Sequence, residues 1–225
     1  MKYYTTLSCF RQNTLRLASD PHLSQNKQDL EFASCLKKSI LLYGETNVGK
    51  TEITSRYLTY LLSFPKIEKI YVFDMAPERF QTKEWAMGGK LSEFDDSFKK
   101  DQRVIYFSYM IIPPRSKSTN YIDVLKVCLE NYELIFNDFR SVLNILSKYP
   151  NQNSALIIND FSIFLHLGSP IFLVKLLPIG HTVFVNSYYG SQLAEDYGSN
   201  ISWRETIMVN LLIRHFNYSI HLITQ

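Results

Sequence analysis

Glycine is scarce in this chain, 8 residues of 225, and proline is no more frequent. So thin a supply excludes collagen-like and low-complexity organisation, and it makes any close pair of glycines a feature that needs a physical reason. Cysteine is scarcer still. Cys9, Cys35 and Cys128 are odd in number and far apart, with no C-x-x-C and no Cys/His ligand spacing. That excludes a disulfide framework and a structural zinc site, and it leads one to expect a reduced, cytoplasmic setting. No stretch approaches the ~18 apolar residues of a membrane span, so none is expected. Met1–Arg11 lacks the apolar run of a secretory signal. The net charge is only +3, with Lys and Arg spread along the chain. A concentrated basic face, the usual footprint of a nucleic-acid binder, is therefore not expected. There is no H-E-x-x-H and no G-x-S-x-G, so neither a zinc protease nor a serine nucleophile elbow is indicated. His166, His181, His215 and His221 each stand alone among apolar neighbours and read as core or rim residues.

What is present is a globular composition, 46% hydrophobic and 20% charged, at a length suited to one α/β domain with a full core. Two of the few glycines fall in Ser39-Ile-Leu-Leu-Tyr-Gly44-Glu45-Thr46-Asn47-Val48-Gly49-Lys50-Thr51. Residues 39–43 read as a short buried strand, and 50–63 as a helix carrying Ile53, Tyr57, Tyr60 and Leu61 at helical spacing, stopped by Pro65. Between them Gly44 to Thr51 spell G-x-x-x-x-G-K-T. The two glycines let backbone approach a phosphate with no Cβ in the way. The loop amides and the helix N-terminus aim positive dipole at an anion. Lys50 would reach the β- and γ-phosphates, and the Thr51 hydroxyl would ligate Mg²⁺. On these residues the chain resembles the P-loop NTPase superfamily, with Gly44–Thr51 as its Walker A loop.

The remaining strands alternate with helices, as in βαβ units. Strand two is 67–74 and ends in Asp74. Strand three is 103–112, broken by Pro113-Pro114, with Arg115 beyond it, placed to meet a phosphate or to be solvated. A long loop is expected over 81–102, with Gly88-Gly89-Lys90 as a closing element or a plain connector. The longest helix, about 119–147, has Thr119 or Asn120 as N-cap. Its stripe of Ile122, Leu125, Leu129, Tyr132, Ile135/Phe136, Phe139, Leu143 and Leu146 is expected to pack on the sheet. Strand four is Ala155-Leu-Ile-Ile-Asn159-Asp160, expected to be central. Strand five is 181–187 and ends in Asn186-Ser187, followed by a polar loop over 188–201. Ser202-x-x-Glu205 reads as a capping box opening a helix over 203–215 that buries Trp203, Ile207, Met208, Leu211 and Leu212. A final strand is Tyr218–Ile223. Residues 1–37 form a mixed, polar lead-in, read as a cover for the sheet edge, and 38–225 form the domain.

Four apolar residues followed by an acid match the Walker B pattern. The resemblance implies that Asp160 lies near the Mg²⁺, although many such ATPases end this strand Asp-Glu and this chain has Asn159-Asp160. Either Asp160 is the metal-side acid and the catalytic Glu is missing, or Asn159 replaces the Asp and Asp160 orients the water. The gap of more than 100 residues between the two motifs fits the ATPase branch with an inserted strand, RecA-like or FtsK–HerA-like. In that branch Asp74 or Glu78, after strand two, would be a catalytic base. Asn186 or Ser187 would sense the γ-phosphate, with Arg204 or Arg214 as candidates for an arginine finger. No Asn-Lys-x-Asp base-reading motif is present, so ATP is favoured over GTP. The expectation is an α/β three-layer sandwich with a mostly parallel sheet of five or six strands and helices on both faces. It would bind ATP and Mg²⁺ and hydrolyse ATP. The resemblance further implies a homo-oligomer acting on DNA, the rival being a nucleotide-gated module for a protein partner.

Overall fold

The apolar runs Ser39–Gly44 (β3), Lys69–Asp74 (β4), Val104–Ser108 (β7), Ser154–Asn159 (β8), Thr182–Tyr188 (β9) and Tyr218–Thr224 (β10) form one parallel sheet, in the order β10-β3-β9-β8-β4-β7. The structure, a computed structural model, describes residues 3–7, 18–19, 32–81 and 86–224. Two strands of the lead-in extend the sheet: Tyr3–Leu7 (β1) lies antiparallel on β10, with Tyr3 opposite Thr224, and Ala18–Ser19 (β2) pairs with β1. Every residue of β3, β8 and β9 is buried. This follows from a parallel sheet covered on both faces, and it is why these strands read as continuous apolar runs.

Alternation along each strand divides the core in two. Ile40, Leu42, Val72, Ile157, Phe184 and Ile220 face helix α1 (Lys50–Leu62), which supplies Tyr57, Leu58 and Leu61. Leu41, Tyr43, Phe73, Leu156, Ile158 and Val185 face the opposite layer. That layer holds α3 (Tyr121–Lys148) and α6 (Ile201–Ile213), with the short helices α4 (Ser162–Leu165) and α5 (Ile171–Val174) beside them. This is the expected three-layer arrangement, with six parallel strands. Among the described residues no helix is long and apolar enough to cross a membrane.

Local signals held at some ends and failed at others. Asn120 does cap α3, its Oδ1 accepting from the amides of Ile122 and Asp123 at 2.9 and 3.0 Å. The buried stripe of α3, however, is Val124, Cys128, Asn131, Ile135, Phe139, Val142, Leu143 and Leu146, whereas Ile122, Leu125 and Leu129 are exposed. The helix carries two adjacent apolar stripes, and periodicity alone does not say which one faces inward. For the same reason α6, apolar on most sides, leaves Trp203 68% exposed instead of burying it. The capping box does not form. Helix α6 starts at Ile201 behind Asn200, which sits at φ 63°, and Glu205 is used elsewhere. The long loop is partly structured. It contains strands Phe80–Gln81 (β5) and Ala86–Met87 (β6) and the 3₁₀ turns Leu91–Glu93 and Ser97–Lys100, while Trp85 lies outside the described residues. Strand β7 stops at Ser108, and Pro114–Lys117 forms a short helix, α2.

Candidate functional site

Helix α1 begins where β3 ends, and the loop between them is a tight curl. Gly44 has φ 151°, and a Cβ there would lie 2.2 Å from the Leu222 carbonyl oxygen of β10. Asn47 and Gly49 take φ 59° and 85°, turning the chain into α1. Only residues tolerant of left-handed backbone make this turn without strain. The Lys50 ammonium folds back over the loop, donating to the carbonyl of Gly44 at 2.9 Å and to that of Glu45. Burial lowers its pKa to about 8, against the opposing pull of Asp160 and Glu45.

The segment after β9 straps onto this loop. The Glu45 carboxylate accepts from the Ser191 amide at 2.6 Å and from the Gln192 amide at 3.3 Å, and the Thr46 hydroxyl donates to the Gln192 side-chain oxygen at 2.6 Å. Of the eight residues read as a phosphate loop, Thr46, Asn47, Gly49, Lys50 and Thr51 line a cleft of about 440 Å³. Gly44 seals against β10, Val48 enters the core, and Glu45 turns toward the strap.

The same cleft is lined by Asp160 and Asn186 from the ends of β8 and β9, so the structure brings these two together with Lys50 and Thr51. Asp160 adopts φ 58°. Its amide donates to the Asn186 side-chain oxygen at 2.9 Å, and its carboxylate accepts from the Ser162 hydroxyl at 2.5 Å. Burial raises the Asp160 pKa, opposed by the Ser162 bond and by Lys50.

Asp74 does not join them. It is fully buried, in a row of polar side chains that crosses three adjacent strands beneath α1. The Asn186 amide group donates to Thr54 and to Asn159, each at 2.8 Å, and the Asn159 amide group donates to Asp74 at 2.7 Å. Asp74 also accepts from the Tyr106 hydroxyl and the Leu91 amide, each at 2.8 Å. Burial raises its pKa, while these bonds and the nearby Lys90 oppose the rise. Strand parity puts the row on one face, and distance across the sheet from β3 decides that Asn186 reaches the cleft while Asp74, two strands farther and held by Tyr106 and Leu91, does not. Asp74, Asn159 and Asn186 follow the α1-facing residues Val72, Ile157 and Phe184 by two positions, so all three side chains project to that face. Asp74 is thus a structural acceptor rather than a group facing the cleft. Glu78 is exposed and not part of the cleft wall. Lys90 is held by the carbonyls of Asp74 at 3.2 Å and Tyr109 at 2.9 Å, which makes the Gly88-Gly89-Lys90 stretch an anchored corner.

At its far end the cleft meets a buried charge cluster not expected from the sequence. Arg115 Nη2 donates to Glu205 at 2.5 Å and to the Ser202 hydroxyl at 3.1 Å, and His166 Nε2 lies 2.6 Å from the other Glu205 oxygen. Burial works against a charged His166, but Glu205 outweighs it, and the pKa stands at about 9. Burial would push Glu205 up, but His166 and Arg115 together hold it below the usual carboxylate value. The one legible signal was Arg115 just past a strand end; a lone His and a supposed capping Glu gave none. Arg204 is turned away, its guanidinium donating to the carbonyls of Leu165, Leu167 and Gly168. Arg214 is exposed at the far end of α6.

The cleft wall carries both signs of charge, Lys50, Arg79 and Arg115 against Glu52, Asp160, Glu195 and Glu205. The Lys50 ammonium, the Thr51 hydroxyl and the Asp160 carboxylate belong to residues that line it together. Among the described residues no group of three His, Cys, Asp or Glu side chains could hold a metal alone. The residues present therefore fit a Mg²⁺ that takes the rest of its oxygens from phosphate and water, the usual habit of that ion. Models of known protein families and curated proteins return no match to the chain.

Proposed function

We propose that this chain binds MgATP at Gly44–Thr51 and hydrolyses its γ-phosphate. The observation that carries the reading is the loop itself: a strand tip, two left-handed turns and a lysine whose ammonium finds only its own loop's carbonyls. Such an ammonium is poised to exchange those weak partners for phosphate oxygens. Thr51 and Asp160 are the residues that would hold Mg²⁺, which neutralises phosphate charge when bound. Asp160 either holds the metal or orients the attacking water, and Asn186, whose side-chain oxygen accepts from the Asp160 amide, fixes it at the cleft wall. The strand order supports the ATPase branch with an inserted strand, since β9 separates the loop strand β3 from β8. Work as a homo-oligomer on DNA rests on the resemblance alone.

A second reading has its own support. Asn159 is locked between Asn186 and Asp74, so only one acid, Asp160, reaches the cleft from the end of β8. Slow turnover, with ATP gating a protein partner, follows from that geometry. Equilibrium binding of ATP, ADP and GTP with and without Mg²⁺, followed by turnover with and without DNA, tests both. Mg-dependent ATP binding lost in Lys50→Ala is the expected result, and a folded chain indifferent to millimolar ATP would end the proposal. DNA-stimulated turnover selects the first reading, and turnover slower than once per several minutes selects the second.

A further inference from the structure

Among the described residues, the cationic side chains lining the cleft are Lys50, Arg79 and Arg115. Two are engaged without reference to a ligand: Lys50 lies on its loop, and Arg79 is exposed and paired to Glu93 at 2.7 Å. Arg115 is different. Its side chain is 14% exposed, opening on the cleft. It meets Glu205 and Ser202 through Nη2 alone, and its Nε is buried with no hydrogen-bond partner. A buried guanidinium N–H left without an acceptor is costly, so the guanidinium has donor capacity that its present partners do not use.

Glu205, for its part, has a second partner besides Arg115. Its other oxygen is held by His166 at 2.6 Å. The cluster of one carboxylate and two cations borders a cleft that also contains Lys50. If Arg115 turns toward an anion, Glu205 keeps a counter-ion, and no buried charge is left alone.

The segment that carries Arg115 is also set in place. Asn131 of α3 clamps the backbone just before it, accepting from the Ile112 amide at 3.1 Å and donating to the Ile112 carbonyl at 2.8 Å. Pro113 and Pro114 then restrict the turn into α2. The backbone is held while the side chain retains a choice of partner.

The geometry points to Arg115 as a phosphate-contacting residue supplied by the same chain, which reads the terminal phosphate of the nucleotide and reports it to α6 through Glu205. This rests on the nucleotide reading proposed above. The ligand feature it recognises is the γ-phosphate, so Arg115 distinguishes a nucleoside triphosphate from the diphosphate. When the guanidinium moves to phosphate, Ser202 and Glu205 near the start of α6 lose a partner. That gives α6 a different set of contacts in the two nucleotide states.

The test compares Mg²⁺-dependent binding of ATP and of ADP to the wild-type chain, Arg115→Ala and Arg115→Lys, with thermal melting of each as a fold control. Arg115→Ala should weaken ATP about tenfold or more, the scale of one charge-assisted contact, while ADP changes less than about threefold on the same scale. Arg115→Lys should recover part of the loss, since a point charge replaces a fork. Because the alanine variant removes a buried charge and could fail to fold, the wild-type chain provides a second readout. The Arg115 Nε–H resonance, assigned by its loss in Arg115→Lys, should shift with ATP and stay in place with ADP. Equal loss of ATP and ADP affinity, or a resonance indifferent to ATP in a chain that binds it, overturns the inference and leaves the nucleotide reading standing. A wild-type chain that binds neither nucleotide overturns both.

Discussion

Replacing Glu205 by Gln removes one buried negative charge and turns one of two accepting oxygens into an NH₂ donor while preserving shape, and its effect should depend on pH in a way that identifies His166 as the responding group. In the wild-type chain the His166 pKa stands at about 9 against an ordinary 6.5. A folded-state pKa raised above the unfolded one contributes stability that is fully present below pH 6.5 and is lost as pH rises through about 9. The contribution is on the order of 3 kcal/mol, taking about 1.4 kcal/mol for each pH unit between the two values. In the Glu205→Gln variant the carboxylate is gone, and burial, which lowers the imidazole pKa, is opposed chiefly by Cys128. Its pKa then falls from about 9 toward or below the ordinary 6.5, so the variant loses less stability than the wild-type chain as pH rises from neutral to alkaline. Between pH 6 and about 9.5 the difference between the two proteins should therefore be larger at the acid end and shrink by up to roughly 3 kcal/mol toward the alkaline end. A pH-independent remainder reflects Arg115, which cannot neutralise itself.

The charged and titratable groups facing this imidazole are Glu205 from α6, with Arg115 beyond it, Cys128 from α3 and, more distantly, Asp160. Cys128 can be removed from consideration by repeating the series in a Cys128→Ser background. Lys50, whose depressed pKa acts in the opposite sense, cancels when the two proteins are subtracted. Urea unfolding followed by circular dichroism at about pH 6, 7.5 and 9.5 gives the difference directly, provided the slope with urea is unchanged. A difference that is the same at both ends of that range would refute the reasoning.

Other consequences can be read in single experiments. Lys50→Met should leave the melting temperature of the free chain equal or higher, because a buried ammonium is removed, and should abolish stabilisation by MgATP; a variant still stabilised by the nucleotide contradicts the site. Gly44→Ala forces a Cβ to within 2.2 Å of the Leu222 oxygen at φ 151°, so a loss of about 3 kcal/mol or more, or failure to fold, is expected in chemical denaturation. Asn159→Asp does not restore an acidic pair in the cleft. It sets a second carboxylate 2.7 Å from Asp74, where both cannot ionise. It should lower stability by about 2–4 kcal/mol at neutral pH, less in mild acid, and leave any turnover unimproved. Chelation of Mg²⁺ should weaken ATP binding more than it changes the melting temperature of the free chain, as differential scanning would record.

The parts of the molecule legible in one dimension share a local cause. A buried parallel strand announces itself as an apolar run, and Ser39–Gly44 with Ser154–Asn159 did so because neither face of the sheet meets water. The tight turn between β3 and α1 was legible because it needs glycine at particular positions whatever surrounds it, and Asn120 because a cap acts within three residues. Asp74 misled because strand order, which sets its strand three places from β3, and its buried partners Tyr106, Leu91 and Asn159 keep it away from the cleft. Glu205 misled because Ser-x-x-Glu satisfies a local rule that a stronger buried partner overrode.

Spacing and composition alone were enough to settle an α/β sandwich with a glycine-turned loop between its first apolar strand and a helix, since those features depend on backbone preferences and hydrophobic alternation within a few residues of one another. Which polar groups surround that loop was decided only in three dimensions. Arg115, His166 and Glu205 are up to 90 residues apart along the chain and meet because β7, β8 and β9 end on the same side of a parallel sheet. Charge pairing across such distances depends on strand order and on burial, and neither is written at any single position.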